Sequence, residues 1–300
     1  SSDYETKASY SFTVVATDNG ASNVNAGNLS VSQAVVVSVN DVNEAPVITS
    51  GNTGNVAENA ATNTVIYTAT ATDVDIGDTL TYSLTGADAA LLEINSTTGE
   101  VTLKASADYE TKASYSFTVV ATDNGTGNLT DTQAVTVSVN DLNDNAPVIT
   151  SGTTASVDEN ADLSTVVYTA TATDADGTSA NNTISFSLTG ADAAAFDINS
   201  TTGEVTLKAS ADYETKASYS FTVVATDNGT GNLTDTQAVM VSVNDVNEAP
   251  VITSGNTGNV DENAATSTVI YTATATDVDA GDTLTYSLTG ADAALLEINS

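Results

Sequence analysis

The chain has 300 residues, with only 5 Lys and Arg against 39 Asp and Glu, for a formal charge of −34. That balance excludes a partner rich in phosphate, whether nucleic acid or an anionic membrane surface, because nothing in the chain neutralises it. The absence of His and Cys removes imidazole and thiolate chemistry, disulfides and zinc or copper ligand sets, and leaves an excess of hard oxygen donors suited to calcium.

Hydrophobic residues make up 40% of the chain, enough to build cores, so long-range disorder is not expected. No stretch approaches the roughly 18 apolar residues of a membrane helix, and Ser1 to Tyr4 carries neither a basic nor an apolar signal region. Internal repetition organises the rest. The motif DYETKASYSFTVVATDNG begins at Asp3, Asp108 and Asp212, and the three prolines, Pro46, Pro147 and Pro250, recur at nearly the same spacing. One period is roughly a hundred residues, the size of a whole domain. The predicted organisation is a C-terminal part of a repeat over 1–45, complete repeats over 46–146 and 147–249, and an N-terminal part over 250–300. On that reading the array is cut in mid-repeat, and a signal, an anchor or a tip domain would lie outside it.

Within the repeat that starts at Pro46, a short strand is expected at Val47 to Thr49 and a β-branched one over Thr64 to Thr72. Thr79 to Thr85 alternates, with Leu80, Tyr82 and Leu84 on one face. Further strands are predicted near Leu91 to Ile94 and over Glu100 to Lys104. Ser114 to Thr122 directs Tyr115, Phe117, Val119 and Ala121 inward, and Thr132 to Asn140 does so with Val135, Val137 and Val139. Turn signals separate them at Asp78, Gly86-Ala87-Asp88, Thr98-Gly99 and Asp123-Asn124-Gly125. No helical stripe of useful length appears. The expected fold class is all-β: tandem immunoglobulin-like Greek-key β-sandwiches with seven strands per repeat. The lack of a Cys pair and of Trp argues against a true immunoglobulin domain.

The carboxylates recur in fixed settings. These are a Glu-Asn pair early in the repeat (Glu58, Glu159, Glu262), a DxD after the second strand (Asp73/Asp75, Asp174/Asp176, Asp277/Asp279), the DYE (Asp3/Glu5, Asp108/Glu110, Asp212/Glu214) and the linker run ending in proline. A single aspartate follows the sixth strand at Asp18, Asp123 and Asp227. All are loops or strand ends, where side chains from separate segments converge at a pole of a sandwich. A solvated acidic surface is the ordinary reading of any one of them; recurrence in register sets these apart. DVDIGD (Asp73 to Asp78) is a poor EF-hand match, lacking the required Gly and Glu offsets.

The stretch AFDINSTTGEVTLKASADYE (Ala195 to Glu214), the loop ATDADG (Ala172 to Gly177) and the linker NDLNDNAP (Asn140 to Pro147) resemble the cadherin repeat family, and the resemblance extends over nearly the whole chain. It implies calcium held between successive repeats. Carried over residue by residue, it assigns Glu58, Asp108 and Glu110 from the upstream repeat, Asp141, Asn143, Asp144 and Asn145 from the linker, and Asp174, Asp176 and Asp227 from the downstream repeat. Such a set suits about three ions. The flanking linkers read NDVNEAP, one residue shorter and without the equivalent of Asn145. There the resemblance assigns Asp3, Glu5, Asp41, Asn43, Glu44, Asp73, Asp75 and Asp123, and then Glu159, Asp212, Glu214, Asp245, Asn247, Glu248, Asp277 and Asp279, with two ions rather than three expected and weaker affinity.

The function this implies is a calcium-stiffened segment of an extracellular or cell-surface adhesion protein, not an enzyme, membrane-anchored or secreted through regions outside this segment. Its partners would be calcium and either like repeats on another cell or a surface polysaccharide, with no membrane insertion in this segment. A carbohydrate-binding module or a passive spacer stalk is the alternative; zero Trp and 5 Phe leave few stacking platforms for sugars. Paired carboxylates serve glycosidases, but here they recur at every joint, as structural ligands do. Homophilic adhesion through a Trp-bearing strand has no support in a chain without Trp. The near-identity of the repeats and the lack of Arg and Cys suggest a large bacterial surface protein.

Overall fold

The computed structural model describes residues 2–20 and 27–299. The chain divides after Leu142 into two compact units. Described residues form strands, turns and short 3-10 segments, with no α-helix among them.

In the first unit, the hairpin of β1 (Ser9–Thr17) and β2 (Ser30–Ser38) is followed by a sandwich. Its strands are β3 (Val47–Ile48), β4 (Thr53–Ala57), β5 (Val65–Thr68), β6 (Ala71–Thr72), β7 (Thr81–Thr85), β8 (Leu92–Ile94), β9 (Glu100–Leu103), β10 (Ser114–Thr122) and β11 (Thr130–Asn140). One sheet has the order β4-β11-β10-β7, the other β5-β9-β8, and β3 pairs with β6. Inward residues of the two sheets make one core, in which Val101, Val119 and Val137 are wholly inaccessible and Phe117 meets Tyr67 edge-on at 5.9 Å between ring centroids. The period-2 alternation of β10 and β11 is therefore the physical source of both strands: every second side chain leaves water.

Two strand expectations are corrected. Thr64 to Thr72 is not one strand, because the chain bends after a register shift between Val65 and Tyr67. The Thr70 carbonyl then accepts from Thr49 N–H at 2.8 Å and Ser50 N–H at 3.3 Å, carrying the chain out of the β5-β9-β8 sheet into the β3–β6 pair. β4 has no counterpart among the expected strands, since its Gly-Asn content signals a turn. It forms because Gly54 packs where a Cβ would stand 2.6 Å from the Ile66 carbonyl oxygen, and it pairs in parallel with β11, Thr53 opposite Thr136 and Ala57 opposite Asn140.

The second unit repeats this plan. Thr154–Asp158, Thr234–Asn244, Ser218–Thr226 and Ser185–Thr189 form one sheet in that order, and Val166–Thr169, Glu204–Leu207 and Phe196–Ile198 the other. Phe196, where the first unit has Leu92, packs edge-on against Tyr219 and Phe221. Val251–Ile252 and Ala275–Thr276 pair in the segment that follows.

Candidate metal centres

Both units set their acidic loops at strand ends, and local hydrogen bonding aims each carboxylate. Glu58 is only 2% exposed; its Oε2 accepts from Tyr109 N–H at 2.9 Å and its Oε1 from Leu142 N–H. Glu159 repeats this with Tyr213 N–H and Val246 N–H, both at 2.8 Å. The residue after each glutamate, Asn59 or Asn160, has a positive φ of 58° or 56° and donates its N–H to the carbonyl of Ala107 or Ala211. At Glu58 and Glu159 the Glu-Asn pair is thus a buried acid followed by a left-handed turn that Asn tolerates; Glu262 is exposed, while Asn263 after it keeps a φ of 61°. Asp108 accepts from both Thr111 N–H and Thr111 Oγ1 at 2.9 Å, and these bonds hold its carboxyl below the usual range. Asp212 is held the same way by Thr215.

In the first unit, ligand atoms of Glu5, Asp41, Glu44 and Asp75 lie within 4.8 Å of one another, as do those of Glu58, Asp108 and Glu110. Glu44 N–H donates to Asp75 Oδ2 at 2.8 Å, and Asp75 N–H to Asp73 Oδ1 at 3.0 Å. Loss of hydration, then the charges of Glu5, Asp75 and Asp41, push the Glu44 carboxyl up. A further cluster joins Asp73 and Asp123 to Asp78. The sequence marks Asp78 only as a turn residue; its carboxyl is raised by desolvation and by Asp73, Asp75, Asp123 and Asp41. A signal for it does lie in the sequence: Asp282 repeats it beside the other NDVNEAP linker, whereas the longer loop after Asp176 carries Asn181 and Asn182. Asp123 Oδ1 accepts from Gly125 and Leu129 N–H, and its Oδ2 from Asn43 Nδ2 at 3.0 Å.

The second unit brings Glu159, Glu214 and Glu248 together. Glu248 N–H donates to Asp279 Oδ2 at 2.7 Å, and Asp279 N–H to Asp277 Oδ1 at 3.2 Å. Asp245 is pushed up by desolvation and then by Asp279, Glu159 and Asp282. Asn247 donates its side-chain amide to the Glu248 carbonyl at 3.1 Å. At the start of this unit, Asn143 Nδ2 donates to Asp227 Oδ1 and Oδ2 at 3.3 and 3.2 Å, and Asn145 reaches Asp176 Oδ1 through both its backbone N–H and its Nδ2. Asn145 also holds Asp144 Oδ1 at 2.8 Å. Asp176 N–H donates to Asp174 Oδ1 at 3.0 Å, and Asp174 is raised by desolvation. Asp3 is tied to Thr6 as Asp108 is to Thr111.

The donor set is that of a hard cation. Buried oxygens that accept no hydrogen bond include Asp73 Oδ2, Asp78 Oδ2, Asn143 Oδ1, Asp174 Oδ2, Asp176 Oδ2, Glu248 Oε2 and Asp279 Oδ1. Such atoms are costly unless something positive meets them. The chain's own cations are engaged elsewhere: Lys112 pairs with Asp88 at 2.9 Å, Lys216 with Asp192 and Lys208 with Asp197, while Lys104 Nζ donates to the Ala90 carbonyl and Lys7 lies over Tyr10. Oxygen-rich, cation-free clusters with unsatisfied buried oxygens fit calcium.

The cadherin domain model matches residues 52–140 and 153–244. The chain belongs to the cadherin family. Human Protocadherin Fat 1 is 34% identical over 85% of this chain, and human Cadherin EGF LAG seven-pass G-type receptor 2 is 34% identical over 96%. The chain spans only 6% and 10% of those two proteins. Among solved structures, mouse Cadherin-23 EC22-24 superposes with a TM-score of 0.64 at 32% identity, over 82% of this chain and 77% of that one. The Protocadherin GammaB4 extracellular domain gives 0.65 at 28% identity, over 81% and 40%. These cadherin repeats are of the extracellular, immunoglobulin-like sandwich type. No helix among the described residues is long and apolar enough to cross a membrane.

Proposed function

We propose that these cadherin repeats bind calcium through the clustered carboxylates and act as an ion-stiffened segment of an extracellular adhesion protein. The carrying observation is the set of buried, hydrogen-bond-free carboxylate oxygens in clusters that no lysine reaches. Calcium supplies positive charge and accepts 6 to 8 oxygen ligands in irregular geometry. Glu58 with Asp108, Glu110 and Asp141, and Asp174 with Asp176, Asp227, Asn143, Asp144 and Asn145, would be ligand sets. Glu5, Asp41, Glu44, Asp75, Asp73 and Asp123 would form another, with Asp78 added, and Glu159, Glu214, Asp245, Glu248, Asp277 and Asp279 the last. Asp3, Asp212, Asn43 and Asn247 would support them. The organisation that suits this role is two complete repeats, 46–146 and 147–249, flanked by partial ones.

Without the ion, like charges a few ångströms apart repel by about 1 kcal/mol per pair even at the dielectric of water. An ion bound to the assembled joint, and not to the splayed one, stiffens it by mass action. Small-angle scattering of the 300-residue chain tests this directly: calcium is expected to narrow the distribution of interdomain distances relative to chelator. Identical scattering curves overturn the stiffening role, and a flat calorimetric titration overturns calcium binding.

A further inference from the structure

Gly125 and Gly229 close the second and third of the chain's three DNG motifs, each ahead of the long strand that follows it; Gly20 closes the first, with a φ of 61°. Neither Gly125 nor Gly229 has a φ in the left-handed region that favours glycine, unlike Gly127 at 99° and Gly231 at 103° two residues later. Their backbones are open to any residue, so conformation does not explain them. Space does. A Cβ on Gly229 would stand 2.1 Å from Asn143 Oδ1, 2.2 Å from its Cγ and 2.7 Å from its Cβ. A Cβ on Gly125 would stand 1.5 Å from Asn43 Oδ1 and 2.4 Å from its Cγ, in the same unit and the same relation.

The seated amide is anchored from one end. Asn143 Nδ2 donates to both oxygens of Asp227 and to the Thr230 carbonyl at 3.3 Å, while its Oδ1 is buried without a hydrogen bond. Gly229 N–H itself donates to Asp227 Oδ1 at 3.0 Å. One short loop therefore holds the acid, orients the amide by its nitrogen and leaves its oxygen available. In the same unit Asp176, 2% exposed, keeps Oδ2 unbonded, a deeply buried carboxylate oxygen with no protein partner.

We propose that Gly229, and Gly125 in the preceding repeat, are positioning residues for metal binding: the missing side chain is the slot in which the linker asparagine is seated with its Oδ1 presented as a neutral oxygen ligand. This rests on the calcium reading above. The slot works through Asn143, so its removal and the removal of Asn143 act on the same step and are non-additive.

The test compares the full chain with Gly229→Ala, Asn143→Ala, the double variant and Gly152→Ala, a glycine whose Cβ would meet nothing within 4 Å. Calcium titration calorimetry gives affinities, and the side-chain amide resonances of Asn143 in chelator report its seat without any metal. Gly229→Ala is expected to weaken the affected sites by about 10- to 100-fold, the range for residues that orient ligands, and to lose the protected Asn143 amide signal. The double variant should match Asn143→Ala, and Gly152→Ala should match the parent. If Gly229→Ala binds calcium as the parent does, or if its loss adds in full to that of Asn143→Ala, the assignment is overturned. A parent chain that takes up no calcium instead overturns the calcium reading and this assignment together, and it is recognised by its own flat titration.

Discussion

The acidic loop after the second strand exists in two versions. In the first unit it is short, Asp73 to Asp78, and a third carboxylate, Asp78, turns into the cluster with Asp73 and Asp123. In the second unit the loop from Asp174 is longer and neutral at its end. There Asn182 Nδ2 donates to the Asp176 carbonyl at 2.7 Å, and the linker residue Asn145 caps Asp176 Oδ1. The short loop goes with the short NDVNEAP linker, and the pairing recurs at Asp277 to Asp282. Where the linker lacks an asparagine, the loop gains an acid. The balance of charged and neutral oxygens at the loop thereby shifts towards charge in the short version.

Removing calcium altogether should affect both loop versions most. Each ion present at about a hundred times its dissociation constant adds about 2.7 kcal/mol to the folded state, so chelation should lower the melting temperature by many degrees in differential scanning calorimetry. An unchanged melting curve would falsify metal-dependent stability in both loop versions.

Asp176→Asn separates ligand from scaffold. With calcium the variant should melt lower, and its titration should show a site weakened at least tenfold, as for other ligand-sphere losses. In chelator it should melt higher, because one of the charges crowding Asp174 is gone. A variant that melts lower in both conditions would instead mark Asp176 as a fold residue.

Asp78→Asn gives the short loop the neutral end of the long one. Calcium affinity of the first-unit cluster should fall by a few-fold to about tenfold on the strength of one lost carboxylate. The converse change, Asn182→Asp, should raise affinity in the second unit. Opposite outcomes in the two titrations would remove the idea that loop and linker compensate.

In chelator, stability should also depend weakly on pH. Glu44, Asp78, Asp174, Asp245 and Glu248 are raised above their ordinary values of 4.5 or 3.8. In the window above those ordinary values the folded chain therefore binds more protons than the unfolded one, and stability rises as pH falls. Below it, the lowered carboxyls Asp108 and Asp212 dominate with the opposite sign, since their stabilisation is lost on protonation. With calcium present, protons compete with the ion and the first trend should invert. Melting curves from pH 7 downwards, with and without calcium, check both signs.

The strands that bury one face are legible in the sequence because burial imposes a period of two, and β10 and β11 follow it residue by residue. The acidic settings are legible because they recur in register. β4 is hidden because its Gly and Asn are there for close packing against the Ile66 carbonyl and mimic a turn. Asp78 is hidden because a turn aspartate and a clustered aspartate look alike until the loop is closed onto Asp73 and Asp123. The bend after Thr68 depends on a carbonyl shared by Thr49 and Ser50, a long-range bond with no local signature.

The parallel pairing of β4 with β11 joins the beginning of a repeat to its end, Thr53–Ala57 alongside Thr130–Asn140. Tension applied along the chain therefore pulls these neighbours in opposite directions along their own axes. Their hydrogen bonds bear the load together, in shear, and cannot be peeled one at a time. The same geometry holds for Thr154–Asp158 beside Thr234–Asn244. A repeat built this way meets stretching with the whole β4–β11 ladder at once, behind the short β3 that precedes it.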